Sequence, residues 1–265
     1  MYKKGLKFNF VFLFLIGCIA YSQEALSPSF VSGETLEFRV HYGLLNTSYS
    51  SLKVTDTLFS GTPSYYVKAH GETTGLAKLF FEVDDNYYSI FSKDSIKPLE
   101  FYRDVHEGKY KVTQKISLDY DAKKAFIDLV KIPETLQRSI TDEIQDIISG
   151  FYFFRSLPEQ VLLNKDTPFE IPMIYNDEGA FTFKLRYDGE EKIETIFGEV
   201  DCYRFKPYLP SIGRIFNDPN AITIWVTKDK NRIPLKVKAK IVVGSITADL
   251  KKATGLKYPG LLKKQ

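Results

Sequence analysis

Cysteine and histidine are scarce in this chain, and their scarcity removes several function classes. Only two cysteines occur in 265 residues, Cys18 and Cys202. Cys18 falls inside an N-terminal apolar run, so removal of that run leaves one thiol and no internal disulfide. Stability must then come from a core. Cys202, between Asp201 and Tyr203 in a strand pattern, reads as a small buried hydrophobe. The three histidines, His41, His70 and His106, lie on separate strand patterns, and no pair has ligand spacing. No metal site is expected. Asp104 and His106 offer an acid and a base near one turn, without a nucleophile elbow or paired carboxylates. The expectation is a protein that is not an enzyme and needs no cofactor.

Charge of one sign is missing too. Formal net charge is +3, and Lys3, Lys4 and Lys7 in the leader account for all of it. No Arg-rich cluster appears, so a nucleic-acid partner is not expected. There is no Ser/Gly/Pro linker and no repeat with a period of tens of residues, which argues against separate modules.

What is present begins with export. Lys3, Lys4 and Lys7 precede an almost wholly apolar run from Phe8 to Ala20, and Ala20-Tyr21-Ser22 supplies small residues before Gln23. This reads as a signal peptide over residues 1–22, leaving one β-rich domain over 23–265 and no transmembrane span after cleavage. Leu15-Ile16-Gly17-Cys18 also fits a lipoprotein cleavage box that would lipidate Cys18, although Ile19, Ala20 and Tyr21 continue the apolar run past it. Simple secretion to the periplasm, peripheral to the outer membrane at most, is the preferred reading.

Aromatic content is 15%, with 21 Phe and 17 Tyr, which suits strands around a large core. Leu36, Phe38, Val40 and Tyr42 alternate with polar residues, as do Tyr110, Val112, Gln114, Ile116 and Leu118. Further strands are expected over 50–55, 64–69, 87–91, 97–105, 125–130, 169–175, 180–187, 192–197, 199–208, 222–226, 234–243 and 245–251. Glu107-Gly108 and Asp188-Gly189 read as hairpin turns, and Gly213 with Asp218-Pro219-Asn220 breaks the run. The tail from Gly255 reads as frayed or loosely docked.

One helix is expected, over residues 141–157. Thr141 would cap it, with Asp142 and Glu143 in the first turn. Ile144, Ile147, Ile148 and Phe151 then form an apolar stripe, Tyr152, Phe153 and Phe154 make the end apolar all round, and Leu157-Pro158 stops it. The fold class is mainly β: a single antiparallel curved sheet, half-barrel or barrel, of roughly eleven to thirteen strands around one amphipathic helix. A membrane barrel fits less well, given the helix and the outward charges Lys111, Lys115 and Asp119.

Several stretches together resemble a family of exported bacterial proteins, domain-of-unknown-function family 3108. They are His41-Tyr42-Gly43, Thr74-Gly75-Leu76 leading to Leu79-Phe80-Phe81-Glu82-Val83-Asp84-Asp85, Asp146-Ile147-Ile148-Ser149 through Arg155, and Ile224-Trp225-Val226-Thr227 with Ile233-Pro234-Leu235. The resemblance spans nearly the whole mature chain and brings no activity or catalytic residues with it. Residues 222–237 are also similar to a hairpin of half-barrel periplasmic lipoprotein carriers, which hold acyl chains under a curved sheet.

Two clusters are candidates for ligand binding. Arg155 lies on the same stripe as Ile144 and Ile148, where a guanidinium must be paired, snorkelled or opened to water. It is either a buried salt bridge tying helix to sheet or an anchor for a carboxylate or phosphate head group, with tails along Ile148, Phe151 and Phe154. Leu76, Leu79, Phe80 and Phe81 follow a flexible turn; they are either ordinary strand core, the mouth of a cavity, or a membrane contact. The leading expectation is a carrier of a lipid or other amphiphile, held between sheet and helix. The alternative is an envelope assembly protein that binds a partner protein through its sheet.

Overall fold

The computed structural model describes residues 26–208, 220–258 and 260. The expected leader with Cys18 and the break at Gly213, Asp218 and Pro219 lie outside the described residues. Strands carry the chain: β1 (Thr35–Tyr42), β2 (Leu45–Phe59), β3 (Thr62–Thr73), β4 (Asp84–Ser92), β5 (Pro98–Glu107), β6 (Tyr110–Asp119), β7 (Lys124–Leu129) and β8 (Ile132–Ser139). Helix α1 (Ala77–Phe80) interrupts the β3–β4 connection, and α2 (Ile147–Ser156) and α3 (Glu159–Leu162) follow β8. A second set completes the chain: β9 (Phe169–Ile174), β10 (Ala180–Thr195), β11 (Gly198–Tyr208), β12 (Ile222–Thr227), β13 (Pro234–Lys240) and β14 (Ser245–Thr254).

All fourteen strands form one antiparallel sheet in the order β8-β7-β6-β5-β4-β3-β2-β1-β14-β13-β12-β11-β10-β9. It consists of two meanders, β1–β8 and β9–β14, joined where β1 pairs with β14. At that junction Gly255 has φ +66°, and a Cβ there would fall onto the Gly33 carbonyl, so only glycine fits. The sheet does not close. The connection after β8 reaches the β9 edge at one residue: Gln145 donates its N–H to Pro172 O (3.0 Å) and accepts from Ile174 N–H (2.8 Å), lying parallel to β9.

α2 crosses the concave side and shares its side chains among three clusters. Ile148 and Tyr152 pack with Phe91, Phe101 and Ile127 of the first meander and with Phe30, which precedes β1. Phe151 also borders Leu36, Cys202, Leu235 and Leu250 at the meander junction. Phe154 joins Tyr187, Phe205 and Val226. Fully burying a side chain such as Ile148 contributes about 1.5–3 kcal/mol, which is why so short a helix holds its place.

Several expectations are corrected. The helix starts five residues later than a Thr141 cap predicts, because Asp146 is a stronger cap: its carboxylate accepts from Ile148 and Ser149 N–H, and Ser149 Oγ accepts from Asp146 N–H. Of the residues before it, Gln145 pairs with the β9 edge and the apolar Ile144 is buried in the first cluster. Asp188-Gly189 is not a hairpin: β10 runs straight through as a bulge between Tyr187 and Glu190, with Gly189 at φ +98°. β8 has no counterpart among the expected strands, since Pro133 and its polar face hide an edge strand. Residues 75–83 are not strand core, because α1 occupies the middle of them. The tail is docked as far as Tyr258, whose N–H donates to Asn231 Oδ1 at 3.0 Å.

Candidate functional site

The last turn of α2 carries the chain's most demanding side chain. Arg155 Nη1 and Nη2 donate to Glu34 Oε1 and Oε2 at 2.6 and 2.8 Å, and both side chains are fully buried. Nε donates to the Asn231 carbonyl at 3.0 Å. Burial works to lower the guanidinium's pKa, and the Glu34 contacts outweigh it, so it is raised. Glu34 directly precedes β1, and Asn231 lies in the β12–β13 turn, where its side chain also bonds Asp229 and Tyr258. One guanidinium therefore ties helix, meander junction and tail together.

The helix start is equally sealed. Asp146 takes a third hydrogen bond from Ser89 Oγ of β4 at 2.6 Å. Burial overrides these donors and pushes its carboxyl up to about 6.

Beside the helix C-terminus is an open cleft of about 490 Å³, lined in part by Ser29, Leu157, Lys230, Arg232 and Tyr258. Arg232 donates Nη1 to the Leu157 carbonyl and, at 3.3 Å, to that of Arg155, covering the helix end. The Ser29 hydroxyl is buried without a partner.

Of the six residues expected to bind a ligand, four fall together and two do not. Ile148 is core, Phe151 has the Arg155 guanidinium 5.4 Å from its ring centre, and Phe154 meets Phe205 edge-on at 5.1 Å. Arg155 answers its charge inside the fold, as the buried-pair alternative has it, so the guanidinium is not open to a head group. Leu76 and Phe80 sit elsewhere, exposed on the β3–β4 connection outside all three clusters. Glu34 and Asn231 were not anticipated; neither carries a local signal, because each is defined by a contact made across the fold. Each histidine faces its own carboxylate: His41 with Asp249 (2.8 Å), His70 with Asp84 (3.1 Å), His106 with Asp104 (3.5 Å). Among the described residues no group of three or more acidic, histidine or cysteine side chains could hold a metal. Nor is any described helix long and apolar enough to cross a membrane.

These features define a class: an open antiparallel β-barrel whose interior is plugged by a short helix and locked by a buried ion pair. The chain belongs to the family described as Protein of unknown function (DUF3108), whose model matches residues 37–251. Its fold is similar to that of a beta-barrel-like protein of domain of unknown function DUF1849 from Brucella abortus, at 10% identity and a TM-score of 0.52, covering 85% of this chain and 98% of that one. Looser likenesses are to a candidate lipoprotein of Parabacteroides distasonis (12% identity, TM-score 0.35, covering 87% and 98%) and a candidate exported protein with YmcC-like fold from Bacteroides fragilis (10%, 0.31, 87% and 99%). The fold assignment rests on the first. No curated protein matches the chain.

Proposed function

We propose that the protein is an exported, non-enzymatic component of the cell envelope that works through its outer surface, not as a carrier with lipid inside. The observation that supports this is the Arg155–Glu34 pair, which occupies the place where a head group would have to bind. Admitting an anion there would displace Glu34 and leave a buried carboxylate unpaired. The aromatic packing of Tyr152 on Phe30, with ring centres 4.4 Å apart, fills the adjoining space. Export is supported by the basic, then apolar, N-terminus.

Native mass spectrometry of protein purified from its own envelope tests the reading. The expected species is the polypeptide beginning at Gln23 with no noncovalent lipid. A retained acyl-chain ligand overturns the surface reading, and a diacylglyceryl group on Cys18 replaces simple secretion by lipid anchoring.

A second reading keeps a ligand but moves it to the cleft beside the helix end. Lys230, Arg232 and the unpartnered Ser29 hydroxyl favour it, since together they suit an anionic head group. Under that reading the retained lipid would be lost in Lys230→Ala with the fold intact.

A further inference from the structure

Two of the described arginines are buried, and only one of them is answered inside the fold. Arg155 has Glu34. Arg103, on β5, is 4% exposed and forms no ion pair among the described residues. Its Nε donates to Gln114 Oε1 at 2.6 Å, and its guanidinium carbon lies 4.5 Å from the ring centre of Tyr175. The two Nη groups bond nothing among the described residues and are not sealed from solvent. Gln114 is 1% exposed, and its amide Nε2 is buried without an acceptor. Donors are thus gathered at one spot with too few acceptors.

The sheet register shows where that spot opens. Leu129, Gln114, Arg103, Tyr87 and Ala69 are cross-strand neighbours from β7 to β3. Phe101 and Ile116, two residues from Arg103 and Gln114 on their strands, are core, so the whole row faces the concave side. It lies one step beyond α2, whose cap Asp146 bonds Ser89, two residues along β4 from Tyr87. Past Tyr87 the concave face is floored by small residues, Ala69 and then Gly71 opposite Ser50. A Cβ on Gly71 would meet only Ser50 Cβ, at 3.9 Å. The space above it is open, and Tyr87, Tyr175, Ala69, Gly71 and Ser50 are all half-buried, as the walls of a mouth are.

Two carboxyls stand on the far side of Tyr87, and they are engaged elsewhere. Asp85 and Glu107 hydrogen-bond each other, and burial raises both. Asp85 also accepts from His106 N–H at 2.9 Å and from the Tyr87 hydroxyl at 3.5 Å. Neither forms an ion pair with Arg103.

We infer that Arg103 and Gln114 form a binding site for the carboxylate of a small organic acid, entered through the open mouth over Gly71. The free end of the guanidinium offers two parallel N–H donors, the fork that a carboxylate matches. A buried guanidinium and amide without acceptors are costly to the fold, so a ligand that brings oxygens there is favoured. One unanswered positive charge suits one negative charge, and the acidic pair behind Tyr87 opposes a second. That selects a carboxylate over a doubly charged phosphate. The inference does not rest on the surface reading, since a small water-soluble acid leaves the packing of Tyr152 on Phe30 as it is.

Saturation-transfer NMR of the protein with sodium benzoate as the probe tests the site. Expected is a benzoate signal that acetate displaces more readily than inorganic phosphate does. Arg103→Leu/Gln114→Leu should weaken benzoate binding at least about tenfold, through loss of the charge-assisted bonds. Gly71→Leu should weaken it by a similar factor by filling the mouth while leaving Arg103 in place, and there is room for its side chain. Urea curves verify that each variant folds, and Gly71→Leu carries the test alone if the double variant does not. Wild-type protein that gives no benzoate signal, so that water alone meets the guanidinium, overturns the inference. Equal binding by the folded variants, or displacement by phosphate ahead of acetate, overturns it as well. Loss of the signal in Lys230→Ala, with Gly71→Leu still binding, would move the anion to the cleft beside α2 and overturn it too.

Discussion

Arg155 and Glu34 lie 121 residues apart and meet as a bidentate pair with no water access. Such pairs are costly to half-remove and cheap to remove whole. Arg155→Met should therefore destabilise the protein by about 3–5 kcal/mol, because it strands a buried carboxylate. Glu34→Leu/Arg155→Met should recover most of that loss or exceed wild type. Urea unfolding of the two variants checks the pair; a single-variant loss below about 1 kcal/mol would mean that water reaches Glu34. Arg155's position on the apolar stripe is legible from helical spacing alone. Its partner is not, because a long-range contact leaves no periodic trace. Leu76 and Phe80 were ambiguous for a related reason: a dense apolar run looks the same whether it enters the core or stands out from it.

α2 shows the same limit for an element. Its apolar stripe and its stop at Pro158 can be read directly, but Thr141 and Asp146 both offer caps and tertiary pairing decides between them. Gln145 gains two backbone bonds to the β9 edge only if the helix starts late. The cap has a pH consequence. Asp146 has a folded-state pKa of about 6 against an ordinary 3.8, so the folded state binds more protons between those values. Stability should fall as pH rises through that window, by on the order of 3 kcal/mol, and level off above it. Asp146→Asn keeps an acceptor for Ile148 and Ser149 N–H and removes the charge. Its urea midpoint should stay flat from about pH 4 to about pH 7 and exceed wild type at the upper end. Asp146→Ala removes the charge but also loses the cap and the Ser89 bond, and should be weaker than Asp146→Asn at every pH by about 1–2 kcal/mol. A wild-type midpoint that rises with pH across this window would refute the assignment. Strand elements divide the same way: β6 alternates cleanly, while β8 and the bulged β10 are masked by edge and turn chemistry.

For the molecule as a whole, two meanders share one sheet and one plug, and the question is whether they unfold together. Chains of this length often unfold in steps. Here the opposing effect is stronger, because β1 pairs with β14 along its whole length and α2 places Tyr152 in the first cluster and Phe154 in the third. Neither meander can open without exposing the helix. The chain's single tryptophan offers a local probe, since Trp225 lies on β12, packs against the junction cluster and donates to Glu191 at 2.9 Å. Its fluorescence follows the second meander, and far-UV circular dichroism follows the entire sheet. Their midpoints should coincide. Tyr152→Ala removes packing from Phe91 in the first meander and from Phe30 just before it, at about 3–5 kcal/mol for truncating a large buried aromatic. It should lower the Trp225 midpoint as far as the circular dichroism midpoint. A Trp225 transition that stays in place while the dichroism shifts would divide the sheet into two units, and the helix would then be a tenant of one of them and not the joint between both.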